Sequence, residues 1–213
     1  GSSYMPKGSR FNVYPALSLA YIILDKNYLY LKTYGSAGLS GSDSDLEHEL
    51  WRQNYVSGNS YYFGPNGGSG YSGRTEGDMA AVTLAPELSR KATFGIDLGL
   101  FDKRLMINAE GFAEDRRNIL ISPSNISDVI GVGVNEQSLG EYTYKGVDLS
   151  VSWNNRHGDF DYGVYANGGW LFTEVINDGQ AYQMYDYLYH KGNPVDQCYG
   201  LEAFYITKEE IAA

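Results

Sequence analysis

A strict two-residue alternation of apolar and polar side chains constrains this chain more than any other feature of its sequence. It is clearest after Gly146, where Val147, Leu149, Val151 and Trp153 alternate with aspartate and serine. Successive side chains of a β-strand leave opposite faces of the sheet, so a segment of this kind has one apolar and one polar face. The same alternation recurs elsewhere, and it predicts strands over approximately residues 10–24, 28–40, 91–101, 104–117, 138–154 and 160–174.

The connections between the predicted strands alternate in length. Those after the first, third and fifth strands are tight polar turns, whereas the others are long and rich in glycine, serine and tyrosine, and cover residues 41–86, 118–137 and 175–213. In an antiparallel meander, alternate connections lie at opposite ends of the sheet, so all the long loops fall at one end. Outer-membrane β-barrels combine short periplasmic turns with long extracellular loops in this way.

We therefore predict an all-β fold, an antiparallel meander of about six long strands that forms a segment of a transmembrane β-barrel. The predicted strands are about 11 to 17 residues long, whereas about 9–11 residues cross a bilayer and soluble strands average about 5–6. A closed transmembrane barrel needs at least about eight strands, so this chain would supply only part of one. A soluble β-sandwich also buries one face of each strand, and it is the alternative that the alternation leaves open.

Two short helices are also predicted inside the loops. Residues 45–52 can form one, and Thr207 with Glu210 has the capping-box spacing that starts a terminal helix.

Composition excludes several classes of protein. The net charge of −10 argues against nucleic acid as a partner, because a phosphate backbone is bound by clustered lysine and arginine. Cys198 is the only cysteine, so an intramolecular disulfide is impossible. No apolar run reaches the roughly 18 residues of a transmembrane helix. The opening residues lack the features of a signal peptide, so we expect a mature chain or an excised piece.

No arrangement of residues typical of catalysis is found. His48, His157 and His190 are far apart in the sequence and lie beside no nucleophile motif, so we expect no enzymatic activity. Asp43 and Asp45 alternate with serine and offer oxygen ligands to calcium, but the spacing of an EF-hand is missing. The expected cofactor is therefore none, with calcium at these two aspartates as the less favoured alternative.

Aromatic residues in the long loops are the strongest candidates for contacts with a ligand or a partner. Aromatic faces stack on sugar rings or peptide side chains, and buried tyrosine and tryptophan dominate many interfaces. The alternative is that these side chains only pack the loops against one another. The candidates are Trp51, Tyr55, Tyr61, Tyr62, Phe63 and Tyr71 in the first long loop, and Tyr182, Tyr185, Tyr187 and Tyr189 in the third.

A second candidate set lies on the polar faces of the strands. In a barrel these side chains would line the wet lumen, whereas in a soluble protein they would form an ordinary exposed face. On the outward faces, Tyr21, Tyr162 and Trp170 are candidates for the aromatic belts at the membrane interfaces. The predicted lumen-facing residues are Asp97, Asn108, Glu110, Asp148 and Asp161.

Several motifs resemble a known family. RFNVYPALSLAYII, LKTYGSAG, ATFGIDLGLFDKRLMINAEGFAEDRRNIL, LGEYTYKGVDLSVSW and GNPVDQCYGLEAFYITKEEI occur in that order. In sequence and in order they resemble the SusC/RagA family, the TonB-dependent outer-membrane transporters of Bacteroidota. The resemblance covers most of the chain outside residues 41–86.

The resemblance implies a function as well as a fold. Such transporters import nutrient oligomers, either glycans or peptides, together with a SusD-like lipoprotein that covers the barrel. The TonB complex energises import through a plug domain, and the barrel crosses the bacterial outer membrane many times in contact with its lipid. The plug and TonB box of the family have no counterpart here, and its barrel has about 22 strands, so we expect a fragment. The alternatives are a soluble all-β carbohydrate-binding module with tyrosine-rich binding loops and, less favoured, a β-rich hydrolase.

Overall fold

The part of the chain that the structure describes forms a six-stranded antiparallel sheet with a separate two-stranded hairpin. A computed structural model describes residues 2–47, 50–65, 68–198 and 200. Within this part of the chain, no helix is long and apolar enough to cross a membrane. The strands are β1 Ala16–Lys26, β2 Leu29–Ser42, β3 Tyr55–Tyr62, β4 Gly70–Glu76, β5 Glu87–Leu100, β6 Leu105–Ile121, β7 Gln137–His157 and β8 Phe160–Asn177.

The predicted fold class is confirmed. The large sheet has the order β1-β2-β5-β6-β7-β8, so each of its strands pairs with the preceding sheet strand in an antiparallel meander. The tight turns after β1, β5 and β7 lie at one end of the sheet, and the long connections lie at the other. The described strands do not close into a barrel, since β1 and β8 form the two edges of the sheet.

The first strand differs from its prediction in two ways. It begins at Ala16 and not near residue 10, because Pro15 cannot donate to a ladder. The pairing also passes from Ile22–Lys32 to Leu24–Leu31, so Ile23 is an extra, bulged residue. The simple alternation placed Ile23 on the apolar face, and the bulge gives that place to Leu24.

The first long loop is more ordered than its sequence suggests. It contains the hairpin β3–β4, whose register is interrupted between Ser57 and Ser60. Because the residues around this irregularity are glycine, serine and asparagine, the sequence does not show the alternation of apolar and polar side chains that predicts a strand. The helix predicted over residues 45–52 is not found in its described part, which forms turns, because so short a segment cannot offset the cost of helix nucleation. His48 and the helix predicted at Thr207 lie outside the described residues.

The register of the large sheet keeps apolar side chains on one face and polar side chains on the other. Leu31 pairs with Leu98, Leu98 with Ile107 and Ile107 with Val151. Directly paired residues share a face of the sheet, so the apolar residues of neighbouring strands form continuous rows. We call the two sides the apolar face and the polar face.

No second layer of the described chain covers the apolar face. Phe94 on β5 is 59% exposed and Trp170 on β8 is 62% exposed. The buried apolar residues lie at the loop end or beside it: Met5, Leu46, Leu50, Ala81 and Val175. A soluble sandwich would bury this face in a core, so the structure favours the wall of a barrel over the sandwich alternative.

Aromatic rings on the polar face lie over glycines of neighbouring strands. The Phe112 ring covers Gly146, where an added β-carbon would lie 2.7 Å from the ring and 2.9 Å from the carbonyl oxygen of Trp170. At Gly168, on the apolar face of β8, an added β-carbon would meet no atom within 4 Å. The two glycines therefore differ in the space around them.

We predict that Gly146→Ala destabilises the folded protein by about 1–3 kcal/mol, because Phe112 and the β8 backbone must shift to admit the methyl group. The matched variant Gly168→Ala should change stability by less than about 1 kcal/mol. Urea unfolding of the protein in detergent micelles, followed by tryptophan fluorescence, measures both. Equal effects would contradict the close packing at Gly146.

Candidate functional site

A hydrogen-bonded network crosses three strands on the polar face. The Lys32 Nζ lies 3.1 Å from Asp97 Oδ2, and the Asn108 side-chain amide donates to Asp97 Oδ1 at 2.6 Å. The same amide donates to the Tyr34 hydroxyl at 3.0 Å, and that hydroxyl donates to Glu110 Oε2 at 2.8 Å. The network joins β2, β5 and β6 and fixes the directions of two carboxylates.

The structure brings three of the five predicted lumen-facing residues into this network, namely Asp97, Asn108 and Glu110. Asp148 pairs with Glu110 across β6 and β7, so the two acids are neighbours on the polar face. Among the described residues, no hydrogen bond or ion pair of Asp148 is found. Asp161 shares the same face but lies near the tight turn, with a 70% exposed carboxylate 3.7 Å from Arg156.

Two members of the network, Lys32 and Tyr34, are not among the site residues predicted from the sequence. The sequence signal that could have identified them is their position on the polar face of the second predicted strand, in the segment LKTY at residues 31–34. Their partners lie 65 and 76 residues away in the chain, and only the register of β2 with β5 and β6 brings them together.

A second polar cluster lies on the same face nearer the long loops. Ser89 donates to Glu114 Oε1 at 2.8 Å, and Arg116 Nε donates to the same oxygen at 2.7 Å. The Arg116 guanidinium also lies 5.0 Å from the centre of the Tyr144 ring. Carboxylates and cations therefore continue along the polar face toward the loops.

Three exposed aromatic residues form a patch on the β3–β4 hairpin. Tyr61 pairs directly with Tyr71, and the rings of Phe63 and Tyr71 lie 5.9 Å apart. Their exposed fractions are 62% for Tyr61, 67% for Phe63 and 60% for Tyr71. We call these three residues the hairpin patch. Tyr62 lies on the opposite face of the hairpin, because it pairs with Gly70, the next position along the ladder.

The other predicted loop aromatics divide into exposed and packed residues. Tyr55 and Tyr182 are exposed, and the rings of Tyr185 and Tyr187 stack on each other at 5.5 Å. Trp51 is half-buried beside the Arg52 guanidinium. Tyr189 packs its own loop, because its hydroxyl accepts from the Gln183 N–H and donates to the Gln183 carbonyl.

Hydrogen bonds tie the segment that follows the hairpin to the start of β7 and to the second long loop. The side chain of Gln137 accepts from the backbone and hydroxyl of Thr83, and Ser138 bonds both backbone groups of Ala85. Ala81 donates to the Leu50 carbonyl at 2.8 Å. At the base of the hairpin, the Gly77 N–H donates to the Asn54 carbonyl at 3.0 Å, and the Met79 N–H donates to the Gly133 carbonyl of the second long loop at 2.8 Å. The hairpin patch therefore projects from a base that is hydrogen-bonded to the second long loop.

The structure offers no group of three metal-ligating side chains within its described residues. The Ser44 hydroxyl donates to Asp45 Oδ1 at 3.2 Å. Calcium at Asp43 and Asp45 remains a prediction from the sequence.

A match to a family model identifies the protein family to which this chain belongs. The model described as TonB dependent receptor-like, beta-barrel matches residues 2–197. The chain belongs to this family. TonB-dependent receptor P3 of Formosa agariphila is 25% identical over 162 residues, which are 73% of this chain and 16% of the receptor.

Solved structures have the same fold. A structure of the RagAB peptide transporter is similar with a TM-score of 0.67 at 18% identity, and the match covers 81% of this chain and 19% of that chain. The RagAB peptide importer in its open-open state is similar with a TM-score of 0.68 at 19% identity, with the same coverage. The chain therefore spans less than a fifth of these relatives, and the SusC/RagA resemblance is confirmed.

We predict that Asn108→Ala destabilises the protein by about 1–3 kcal/mol, because the partly buried Asp97 carboxylate and Tyr34 hydroxyl both lose a partner. Asn155→Ala is the matched control, since its amide donates to the exposed Tyr162 hydroxyl at 2.9 Å, and its effect should stay within about 0.5 kcal/mol. Urea unfolding in micelles compares the two. A loss at Asn108 no larger than that at Asn155 would mean that the network adds nothing to stability.

Proposed function

We propose that this chain forms part of the wall and extracellular loops of a SusC-like TonB-dependent transporter, which imports nutrient glycans or peptides together with a SusD-like lipoprotein. The observation that carries the proposal is the two-faced sheet, whose apolar face no layer of the described chain covers, in a chain that the barrel family matches. The description of RagAB as a peptide importer supports import of oligomers.

In this proposal the apolar face contacts lipid, the polar face lines the lumen, and the chain crosses the outer membrane with each of its six long strands. Tyr162 then lies near the tight-turn end of β8, where a barrel has an aromatic belt, whereas Trp170 is the eleventh of the 18 residues of β8 and lies inside the strand. Tyr21 differs from the predicted belt position, because it pairs with Thr33 well inside β1 and β2.

The wall carries out no covalent chemistry in this mechanism. Work comes from the TonB complex, which acts through a plug domain, while the wall supplies a fixed electrostatic surface. The network holds Asp97 and Glu110 in place, and Asp148 stands beside them without an ion partner among the described residues. Fixed carboxylates of this kind favour cationic or hydroxyl groups of the plug or of a passing oligomer.

The loops would supply the contacts with the lipoprotein or the nutrient. The hairpin patch combines exposed rings with an anchored base, and rigid aromatic side chains contribute strongly to interfaces because they lose little entropy on binding. A soluble carbohydrate-binding module is no longer favoured, since its strands would need a second layer over the apolar face.

Import should depend on the TonB complex. In cells that carry the full-length protein, uptake of a labelled oligosaccharide or peptide from a nutrient panel should fall to background when either the gene or TonB function is removed. Uptake that persists without TonB would contradict energised import. Extraction of the full-length protein from membranes by plain buffer would contradict the lipid-facing role of the apolar face.

Removal of the hairpin patch should weaken capture of the lipoprotein or nutrient. We expect Tyr61→Ala, Phe63→Ala and Tyr71→Ala together to reduce co-purification of the lipoprotein, or nutrient affinity, by more than about tenfold. The matched control is Tyr28→Ala with Phe160→Ala, two exposed aromatics at the tight-turn end. Equal losses in both variants, or none in the triple variant, would argue against the patch as a contact surface.

A further inference from the structure

A groove runs along the apolar face from the loop end toward the middle of the sheet. Its upper part has a volume of about 660 Å³ and includes Ala37, Ala92 and Ala113, three small residues paired in one row across β2, β5 and β6. Its lower part, also about 660 Å³, shares Leu17 and Ala37 with the upper part. The two parts therefore form one continuous depression.

The lower part of the groove has apolar walls and a floor of small residues. Leu19 and Tyr21 of β1 line one side, and Phe94 of β5 lines the other. Between them lie Gly35 and Thr33 of β2. The edge strand β1 forms one wall of the groove. A further barrel strand paired with the free edge of β1 would extend the sheet in its own plane, and the groove would stay open to the membrane.

Two cations without an ion partner mark the upper end of the groove. Arg90 and Lys145 line it, and no ion pair of either is found among the described residues. Asp115 also lines the groove and pairs with Arg90 in the sheet, but its carboxylate makes an ion pair with Arg117 at 2.9 Å. Glu174 is the nearest acid on β8, but it is paired with Thr143 in the sheet and makes no ion pair with Lys145 in the described structure.

The position of Arg90 corresponds to the headgroup level of a membrane. Arg90 lies about ten residues from the end of β5 at Leu100, which at about 3.3 Å per residue and a tilt of about 40° is about 25 Å above that end. The apolar band of an outer-membrane barrel is about 25 Å tall. Lys145 lies one row nearer the tight turns than Arg90 on the same face, because it pairs with Ala113, which pairs with Ala92.

We propose that this groove binds a phosphorylated lipid of the outer leaflet, with its phosphate on Arg90 and Lys145 and an acyl chain over Ala92, Ala37 and Gly35. Guanidinium and ammonium groups at one end complement a phosphate. The small-residue floor below them admits a hydrocarbon chain that larger side chains would exclude. This inference rests on the orientation of the wall in the proposed function, and it adds a lipid site that nutrient import does not require.

The test uses the full-length protein in a non-ionic detergent, stripped of bound lipid and titrated with diphosphoryl lipid A. Native mass spectrometry measures the lipid that the protein retains. Each cation near a membrane surface contributes about a fivefold factor in affinity, so Arg90→Gln with Lys145→Gln should weaken binding about 25-fold. Lys26→Gln, on the apolar face at the opposite end of the sheet, should leave affinity unchanged.

A second pair of variants tests the groove itself. Ala92→Leu should weaken lipid binding by filling the floor, whereas Ala109→Leu, on the same face but outside the groove, should not. The proposal is overturned if the charge variant binds lipid A normally, if Lys26→Gln loses as much affinity, or if phosphatidylethanolamine binds as tightly. Displacement of the lipid by millimolar inorganic phosphate would also overturn it, by showing a site for free phosphate.

Localisation and nutrient uptake are measured in the same cells. Absence of the protein from the outer membrane would refute the wall orientation and the proposed function together. A protein that is correctly localised and imports normally, yet retains no lipid A, would refute the lipid site alone.

Discussion

The strand register is the constraint on which the rest of this structure depends. Six long strands pair so that Leu31, Leu98, Ile107 and Val151 share one row, and a slip of one residue would send every side chain of a strand to the opposite face. No buried core fixes the sheet, since only a few apolar residues of the described chain are buried. The separation of faces therefore has to come from the pairing itself and from the membrane that the apolar face meets.

The two faces use different interactions. On the polar face, hydrogen bonds and ring-over-glycine contacts link neighbouring strands, as in the network around Asn108 and in the contact of Phe112 with Gly146. On the apolar face, side chains such as Phe94 and Trp170 remain exposed and gain their stabilisation only when lipid replaces water around them. The polar contacts therefore specify the register, and contact with lipid stabilises the sheet in that register.

Most of the fold could be predicted because its signals are local. The alternation around Val147 needs no knowledge of neighbouring strands, and the unequal loop lengths assign the two ends of the sheet. The bulge at Ile23 and the hairpin β3–β4 could not be predicted from the alternation, because a single extra residue or a glycine-rich strand interrupts it. The hydrogen bond between Tyr34 and Glu110 could not be predicted either, because it joins residues 76 positions apart and requires the register of three strands.

Strand β5 shows how closely the two faces are coupled. Arg90 and Ala92 belong to the groove on the apolar face, while Lys91, Thr93 and Asp97 point to the polar face between and beyond them. A substitution in β5 changes one face and leaves the other, because neighbouring side chains lie on opposite sides of the sheet. A one-residue insertion or deletion in β5 that no bulge absorbs would exchange the faces of all the β5 residues on one side of it, and would place charges in lipid and alanines in the lumen. The lengths of these strands are therefore under tighter physical constraint than the identity of any one of their side chains.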